Sequence, residues 1–266
     1  MHPMQPARPH ILGPEGQAAL ARTLASSPLL AFDFDGTLAP IVALPSMARM
    51  PAAVSERLGR IAARVPVAIV TGREVADVRQ RLDFEPRYIV GSHGAEGPVA
   101  EPAPVWVSAM AVARDWLQPH RGTLEAIGVQ LEDKRSSIAL HYRNAPDRAL
   151  ARRSLERLLR TASPALHVFG GKMVFNIVPA HAPDKADAVL ALVRQEGAGT
   201  ALFVGDDLND EPVFQRAPAH WLTIKVGPGT ERSAARSAAR FFLAGPSEVA
   251  DLLDAMLGHL GPAPSL

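Results

Sequence analysis

Apolar residues fall in two rhythms along this chain. Short unbroken runs at 29–32, 67–70, 88–91 and 201–204 have the length and density of strands buried on both faces, and 221–226 and 240–243 read as two more. Between them lie stretches with helical spacing. Val54, Leu58, Ile61, Ala62 and Val65 mark a helix over 52–64 that Pro66 ends, and 74–82 gives a shorter amphipathic helix. Val189, Leu190 and Val193 mark the buried side of a helix running to Glu196, with Asp184 as its N-cap and Asp187 three residues on, and 247–257 closes the pattern. Strands alternating with helices predict an α/β fold with a Rossmann-like parallel sheet, because right-handed crossovers align successive strands.

The middle of the chain is patterned differently. Pro-rich connectors at 97–104 (GPVAEPAP) and 178–184 (VPAHAPD) bracket helix candidates at 105–127 and 146–161 and strand candidates at 129–134, 137–143 and 172–178. This predicts a core of residues 1–97 and 182–266 interrupted by an α/β insert of residues 98–181. Period-two alternation sorts the insert's strands into faces. Ile138, Leu140, Tyr142, Phe175 and Ile177 share an apolar face that would pack on the helices, and the opposite face collects Glu132, Lys134, His141, Arg143, Lys172 and Asn176. An antiparallel sheet with one solvated face would alternate in the same way. The mixture of carboxylate, ammonium, guanidinium, amide and imidazole also suits the hydroxyls of a sugar.

Composition narrows the field. The chain of 266 residues has a formal net charge of +1 and no basic block, so it carries no electrostatic footprint for nucleic acid or an anionic membrane. With no cysteine, disulfides, thiolate metal sites and cysteine nucleophiles are excluded. No apolar run approaches a membrane span, and the Pro-studded start over 1–16 lacks the apolar region of an export signal. The expectation is a soluble cytoplasmic protein with a frayed start and a loose Pro-rich tail over 261–266.

Candidate chemistry lies where the buried runs end. Asp33 and Asp35 follow the first run at the sheet edge where open α/β sheets bind ligands, and paired carboxylates there call for a cation. The second run leads into Thr71-Gly72-Arg73 ahead of a helix, an arrangement that suits an anion or, more plainly, a helix cap. The third ends at Ser92-His93-Gly94-Ala95-Glu96. Lys185 falls in the first turn of a helix, where the macrodipole disfavours a cation unless an anion compensates it. The fourth run delivers Asp206, Asp207, Asp210 and Glu211 together, which would repel one another without a metal. A shell built from Asp33, Asp206 and the backbone carbonyl of Asp35 has the hard oxygen donors that Mg2+ prefers, with Asp207 and Asp210 holding metal-bound waters.

With these pieces assembled, the chain resembles the trehalose-6-phosphate phosphatases of the haloacid dehalogenase superfamily, over most of its length from Leu29 to Leu257. The similar stretches are D-F-D-G-T-L at 33–38, V-T-G-R at 70–73, S-H-G-A-E at 92–96, E-x-K at Glu132 and Lys134, H-Y-R at 141–143, G-K-M at 171–173 and G-D-D-x-x-D-E at 205–211. The resemblance implies a haloacid dehalogenase-type core with an inserted α/β cap, and Mg2+-dependent hydrolysis of a sugar phosphate. Asp33 would be the nucleophile, Asp35 the general acid and base, and Thr71 and Lys185 the groups that hold the phosphoryl oxygens. Gly72, Arg73, His93, Glu132, Lys134, His141, Arg143, Lys172 and Asn176 would contact substrate, and a trehalose-phosphate synthase would be a functional partner. Three positions depart from the family's usual pattern: Asn176 stands where a sugar-binding Glu is usual, Ala186 where Gly follows the lysine, and Asn209 where the metal loop has Thr. Asn176 leaves other glycosyl phosphates, such as sucrose phosphate or a glycosyl phosphoglycerate, as alternatives, beside a non-catalytic sugar-phosphate-binding module.

Overall fold

Each apolar run becomes a strand. The computed structural model describes residues 8–100, 103–227 and 237–261. The chain begins with α1 (Pro14–Leu24), β1 (Leu29–Phe32), α2 (Ala52–Ala62), β2 (Val67–Val70), α3 (Val75–Arg79) and β3 (Tyr88–Val90). The middle follows with α4 (Pro104–Leu117), α5 (Arg121–Ala126), β4 (Gln130–Asp133), β5 (Ile138–His141), α6 (Arg148–Leu159), β6 (Leu166–Gly171) and β7 (Val174–Pro179). The last part holds α7 (Lys185–Glu196), β8 (Ala201–Gly205), α8 (Glu211–Arg216), β9 (Leu222–Val226), β10 (Phe241–Leu243) and α9 (Val249–Leu260).

Six strands form one parallel sheet in the order β10-β9-β8-β1-β2-β3. Strand alternation divides its side chains between two cores. Leu30, Phe32, Ile69, Leu202 and Val204 pack with α1, α2 and α9, while Leu29, Ala31, Val70 and Phe203 pack with α7 and α8. The strand order reverses at β1, which has β2 on one side and β8 on the other. Ligand crevices in open sheets form at such a switch point. Phe32 pairs with Val204, so the residues that follow these two strands emerge side by side. They are Asp33 and the loop from Gly205.

The middle of the chain forms a separate antiparallel sheet in the order β4-β5-β7-β6. Ile138, Leu140 and Ile177 pack there on Met110, Ala113, Leu117 and Leu155 of the helices, as the alternation predicts. Four expectations need correction. The helix expected over 105–127 is two, separated by a 3-10 turn at Gln118–His120 because Pro119 cannot continue the α-helical ladder. The helix expected over 74–82 is only five residues long. Strand β6 was unforeseen, since Leu-His-Val-Phe-Gly-Gly has little apolar weight on its own. Helix α1 was also unforeseen, although Ile11 before it and Leu20 within it are wholly buried. The expected frayed start and Pro-rich tail, apart from residues 8–16 and Gly261, lie outside the described residues. Among the described residues no helix is long and apolar enough to cross a membrane.

Candidate active site

Burial decides the character of the sheet edge. Asp33 is nearly inaccessible, and its amide donates to the Val204 carbonyl at 2.9 Å, which fixes it against β8. Lys185, at the first position of α7, is 1% exposed and donates to Asp33 Oδ1 at 2.7 Å and to Asp210 Oδ1 at 2.8 Å. The Asp184–Asp187 capping box starts α7 at that point. Burial works to strip the lysine's proton, but Asp210 and Asp33 together overcome it and hold the ammonium above its ordinary range. A cation set against the helix dipole is thereby explained by two anions outside the helix.

Asp210 also organises the loop that carries Asp206. Its Oδ2 accepts the amides of Asp206 at 2.8 Å and Asp207 at 2.9 Å. Gly205 permits this, since a Cβ there would fall 2.4 Å from the Asp210 Cγ. Carboxylate oxygens of Asp33, Asp206 and Asp210 all lie within 4.8 Å of one another. Burial pushes the Asp33 carboxyl well above the usual range, against the pull of Lys185. Burial likewise raises Asp206 to about 6, opposed by Lys172 and aided by Asp210.

These residues fit a small divalent cation. Lys185 neutralises one of three buried carboxylates, so the cluster retains negative charge in a medium that resists it. Asp206 Oδ1 is buried with no hydrogen-bond partner. Its Oδ2 meets the Lys172 ammonium, so a cation already occupies that side of the carboxylate. Gly36, at φ +86°, lets the backbone lie against the same group, and a Cβ there would fall 1.9 Å from Asp206 Oδ2. Oxygen donors around a rigid cradle suit Mg2+. Asp207 Oδ1 accepts the Leu208 amide at 2.8 Å and Oδ2 accepts the Lys172 amide at 3.0 Å, while both Asp210 oxygens are engaged as above. Asp207 and Asp210 thus hold the loop in shape.

Asp35 points another way. Both of its oxygens accept from Arg73, Nε to Oδ2 at 2.6 Å and Nη2 to Oδ1 at 2.7 Å. Arg73 is buried, its remaining side-chain hydrogen bonds go to Asp77 and the Pro45 carbonyl, and its guanidinium lies over the Phe34 ring. Thr71 is buried at the end of β2, and its Oγ1 accepts the Arg73 amide at 3.2 Å. The first amide of α3, expected to face an anion, is taken by Glu96. His93 sits at φ +60°, edge-on to Phe169 at 5.0 Å, with Nδ1 unpaired. Burial first, then Lys185 and Lys134, hold its imidazole well below the ordinary value.

The antiparallel sheet presents its polar face to this edge. Glu132 meets the His141 imidazole at 2.9 Å and the Lys134 ammonium at 3.5 Å. The hydrogen bond from His141 outweighs burial and, with Lys134, brings the Glu132 carboxyl down to about 2. Lys134 also donates to the Gly72 carbonyl at 3.3 Å, and Arg143 to the Val42 carbonyl at 2.6 Å. Asn176 is buried. A cavity of about 280 Å³ between the two sheets is lined by Asp33, Asp35, Gly72, Arg73, His93, Glu132, Lys134, His141, Arg143, Lys172, Asn176, Asp206 and Asp207. Thr71, Lys185 and Asp210 lie behind that wall. Loop residues Ile41, Val42 and Pro45, and Asp77 of α3, also line the cavity and were not foreseen. Asp77 carried a signal, since Arg73, Asp77 and Arg81 recur every four residues.

A parallel sheet with buried acids at its carboxyl edge, covered by an inserted antiparallel sheet, defines a protein of the haloacid dehalogenase-like fold. Comparison agrees. A haloacid dehalogenase-like hydrolase from B. subtilis superposes with a TM-score of 0.59 at 16% identity, over 86% of this chain and 99% of that one. The C-terminal domain of C. albicans trehalose-6-phosphate phosphatase superposes with a TM-score of 0.80 at 21% identity, over 96% of this chain and 99% of that one. The trehalose-phosphate phosphatase of Mycobacterium tuberculosis is 34% identical over 259 residues, 91% of this chain and 64% of that protein. The chain thus spans less than two thirds of the length of the curated relatives it matches. The family model for trehalose-phosphatase matches residues 31–247. The chain belongs to the trehalose-phosphatase family.

Proposed function

We propose that this protein hydrolyses trehalose 6-phosphate to trehalose and phosphate, with Asp33 as nucleophile. The observation that carries the reading is the buried Asp33–Lys185–Asp210 bridge beside Asp206, facing a cavity whose other wall is Glu132, Lys134, His141 and Arg143. Lys185 engages Asp33 Oδ1, which leaves the other oxygen for attack on phosphorus. As that oxygen bonds to phosphorus, the bond from phosphorus to the sugar oxygen breaks, and Asp35 gives that oxygen a proton. Asp35 then takes a proton from water, which attacks the aspartyl-phosphate, and the bond to Asp33 breaks to release phosphate. Asp33, Asp206 and the Asp35 carbonyl would hold Mg2+, which when bound supplies the positive charge that screens the phosphoryl oxygens from the nucleophile. Lys185 keeps its charge beside the nucleophile, and Thr71 and Gly72 shape the turn beneath the phosphoryl group.

Residues 98–181 act as a cap that excludes bulk water and reads the sugar through Glu132, Lys134, Arg143, Lys172 and Asn176. His141 serves by holding the Glu132 carboxylate. A trehalose-phosphate synthase would supply the substrate, and the reaction is placed in the cytoplasm. The test is phosphate release from trehalose 6-phosphate with and without Mg2+. Metal-dependent release is expected, and no release under either condition contradicts the reading.

Asn176 favours a second reading for the sugar. A neutral amide replaces a charged acceptor, and such hydrogen bonds contribute about 1.5–3 kcal/mol, enough to move the preference toward sucrose phosphate or a glycosyl phosphoglycerate. Comparing kcat/KM across these sugar phosphates distinguishes the two readings.

A further inference from the structure

The mechanism leaves open what aims Asp35. Its carboxylate is half-exposed at the cavity edge, yet both oxygens are fixed by Arg73 in a bidentate pair. Arg73 is in turn fixed from behind. Nη1 donates to Asp77 Oδ2 at 2.8 Å, and Nη2 to the Pro45 carbonyl at 2.8 Å. Asp77 accepts two more bonds from Arg81, Nη2 to Oδ1 at 2.6 Å and Nε to Oδ2 at 3.0 Å. Arg81 spends its remaining reach on the Ser46 and Ala48 carbonyls, at 3.0 and 2.9 Å. Both arginine side chains are more than nine-tenths buried, so neither can swing freely. The loop these arginines grip is also gripped from the antiparallel sheet, where Arg143 and Asn144 donate to the Val42 and Ala43 carbonyls.

We propose that Arg73, Asp77 and Arg81 form a positioning relay that aims the Asp35 carboxyl at the leaving-group oxygen. The inference rests on the proposed role of Asp35. Arg73 occupies one lone pair on each Asp35 oxygen and turns the others toward the cavity, where a proton can be given or taken. Asp77 bridges two buried guanidinium groups that would otherwise repel each other, and Arg81 ties the pair to the 41–48 loop that lines the cavity. Without Arg81, Asp77 is free to draw Arg73 away, and Asp35 loses its fixed direction. Placement errors of this size cost catalysis out of proportion to stability.

The test uses Arg81→Gln and two probes, trehalose 6-phosphate and p-nitrophenyl phosphate. A sugar alkoxide cannot leave without a proton, whereas nitrophenolate can, so only the first probe needs a well-aimed acid. For Arg81→Gln, kcat/KM on trehalose 6-phosphate is expected to fall roughly tenfold to a hundredfold, and on p-nitrophenyl phosphate to stay within about twofold. Asp77→Asn preserves shape while removing the carboxylate charge that joins the two arginines, and gives the same split if the first variant does not fold. Equal losses on both probes in a folded variant, or no loss on either, would overturn the relay. No release from either probe by the unmodified protein would overturn the functional reading, and the relay with it.

Discussion

The two walls of the cavity solve opposite problems. On the parallel-sheet side, Asp33, Lys185 and Asp210 are buried and already bonded to one another, so their geometry is fixed before any ligand arrives. On the antiparallel-sheet side, Glu132, His141 and Lys172 are more exposed, though they too bond to each other or to the opposite wall. Burial makes the first group costly to disturb. Solvent screens the second group, which leaves it adjustable to a polyhydroxylated ligand. Preorganisation at the reacting atoms and adaptability at the recognition face are the division this fold makes.

Substitutions on the two walls sharpen that contrast. The largest effect is expected from Asp33→Asn, which should lower phosphate release by on the order of a thousandfold or more without unfolding the protein, measured by inorganic phosphate assay and circular dichroism. Lys185→Met comes next. Removing the buried cation between Asp33 and Asp210 should destabilise the protein by about 3–5 kcal/mol in denaturant unfolding, because two buried carboxylates are left facing each other. Added Mg2+ should restore part of that loss, and no stabilisation by the metal would speak against a shared site.

On the recognition wall the effects shrink. Glu132→Gln should raise KM for the sugar phosphate about tenfold with kcat nearly unchanged, since a contact made equally in ground and transition states is lost. Its pH signature has a definite sign. The Glu132 carboxyl titrates at about 2 when folded against an ordinary value of 4.5. The pair with His141 and Lys134 therefore contributes stability above about pH 4.5, and this is lost as pH falls toward 2. The carboxylate is 45% exposed, so solvent screening limits the term to about 1 kcal/mol or less. Unfolding of the unmodified protein and of Glu132→Gln followed between those pH values should converge at the acid end.

Much of this was legible in the sequence, for physical reasons. Four-residue apolar runs bounded by turn residues are too short for a buried helix and fit a doubly covered sheet, which makes β1, β2 and β8 legible. Alternation in β5 and β7 placed His141 and Asn176 on one face because strand geometry leaves no other choice. Lys185 betrayed itself by standing against a helix dipole. What stayed hidden depended on partners distant in the chain. The bond between Arg73 and Asp35 joins residues 38 positions apart, and nothing local announces it. Strand β6 is weak alone and exists because β7 pairs with it along six residues. Helix α1 follows a Pro-rich stretch that reads as frayed, yet it packs on α9 at the far end of the sequence.

The central claim is that acids gathered from both halves of the chain prepare Asp33 to accept a phosphoryl group. The most direct measurement is mass spectrometry of protein mixed with trehalose 6-phosphate and Mg2+ and quenched in acid within one turnover. The account predicts one phosphoryl group on the peptide that carries Asp33, absent when Mg2+ is chelated and absent in Asp33→Asn. Phosphate released at full rate with no phosphoryl group ever found on that peptide would contradict it.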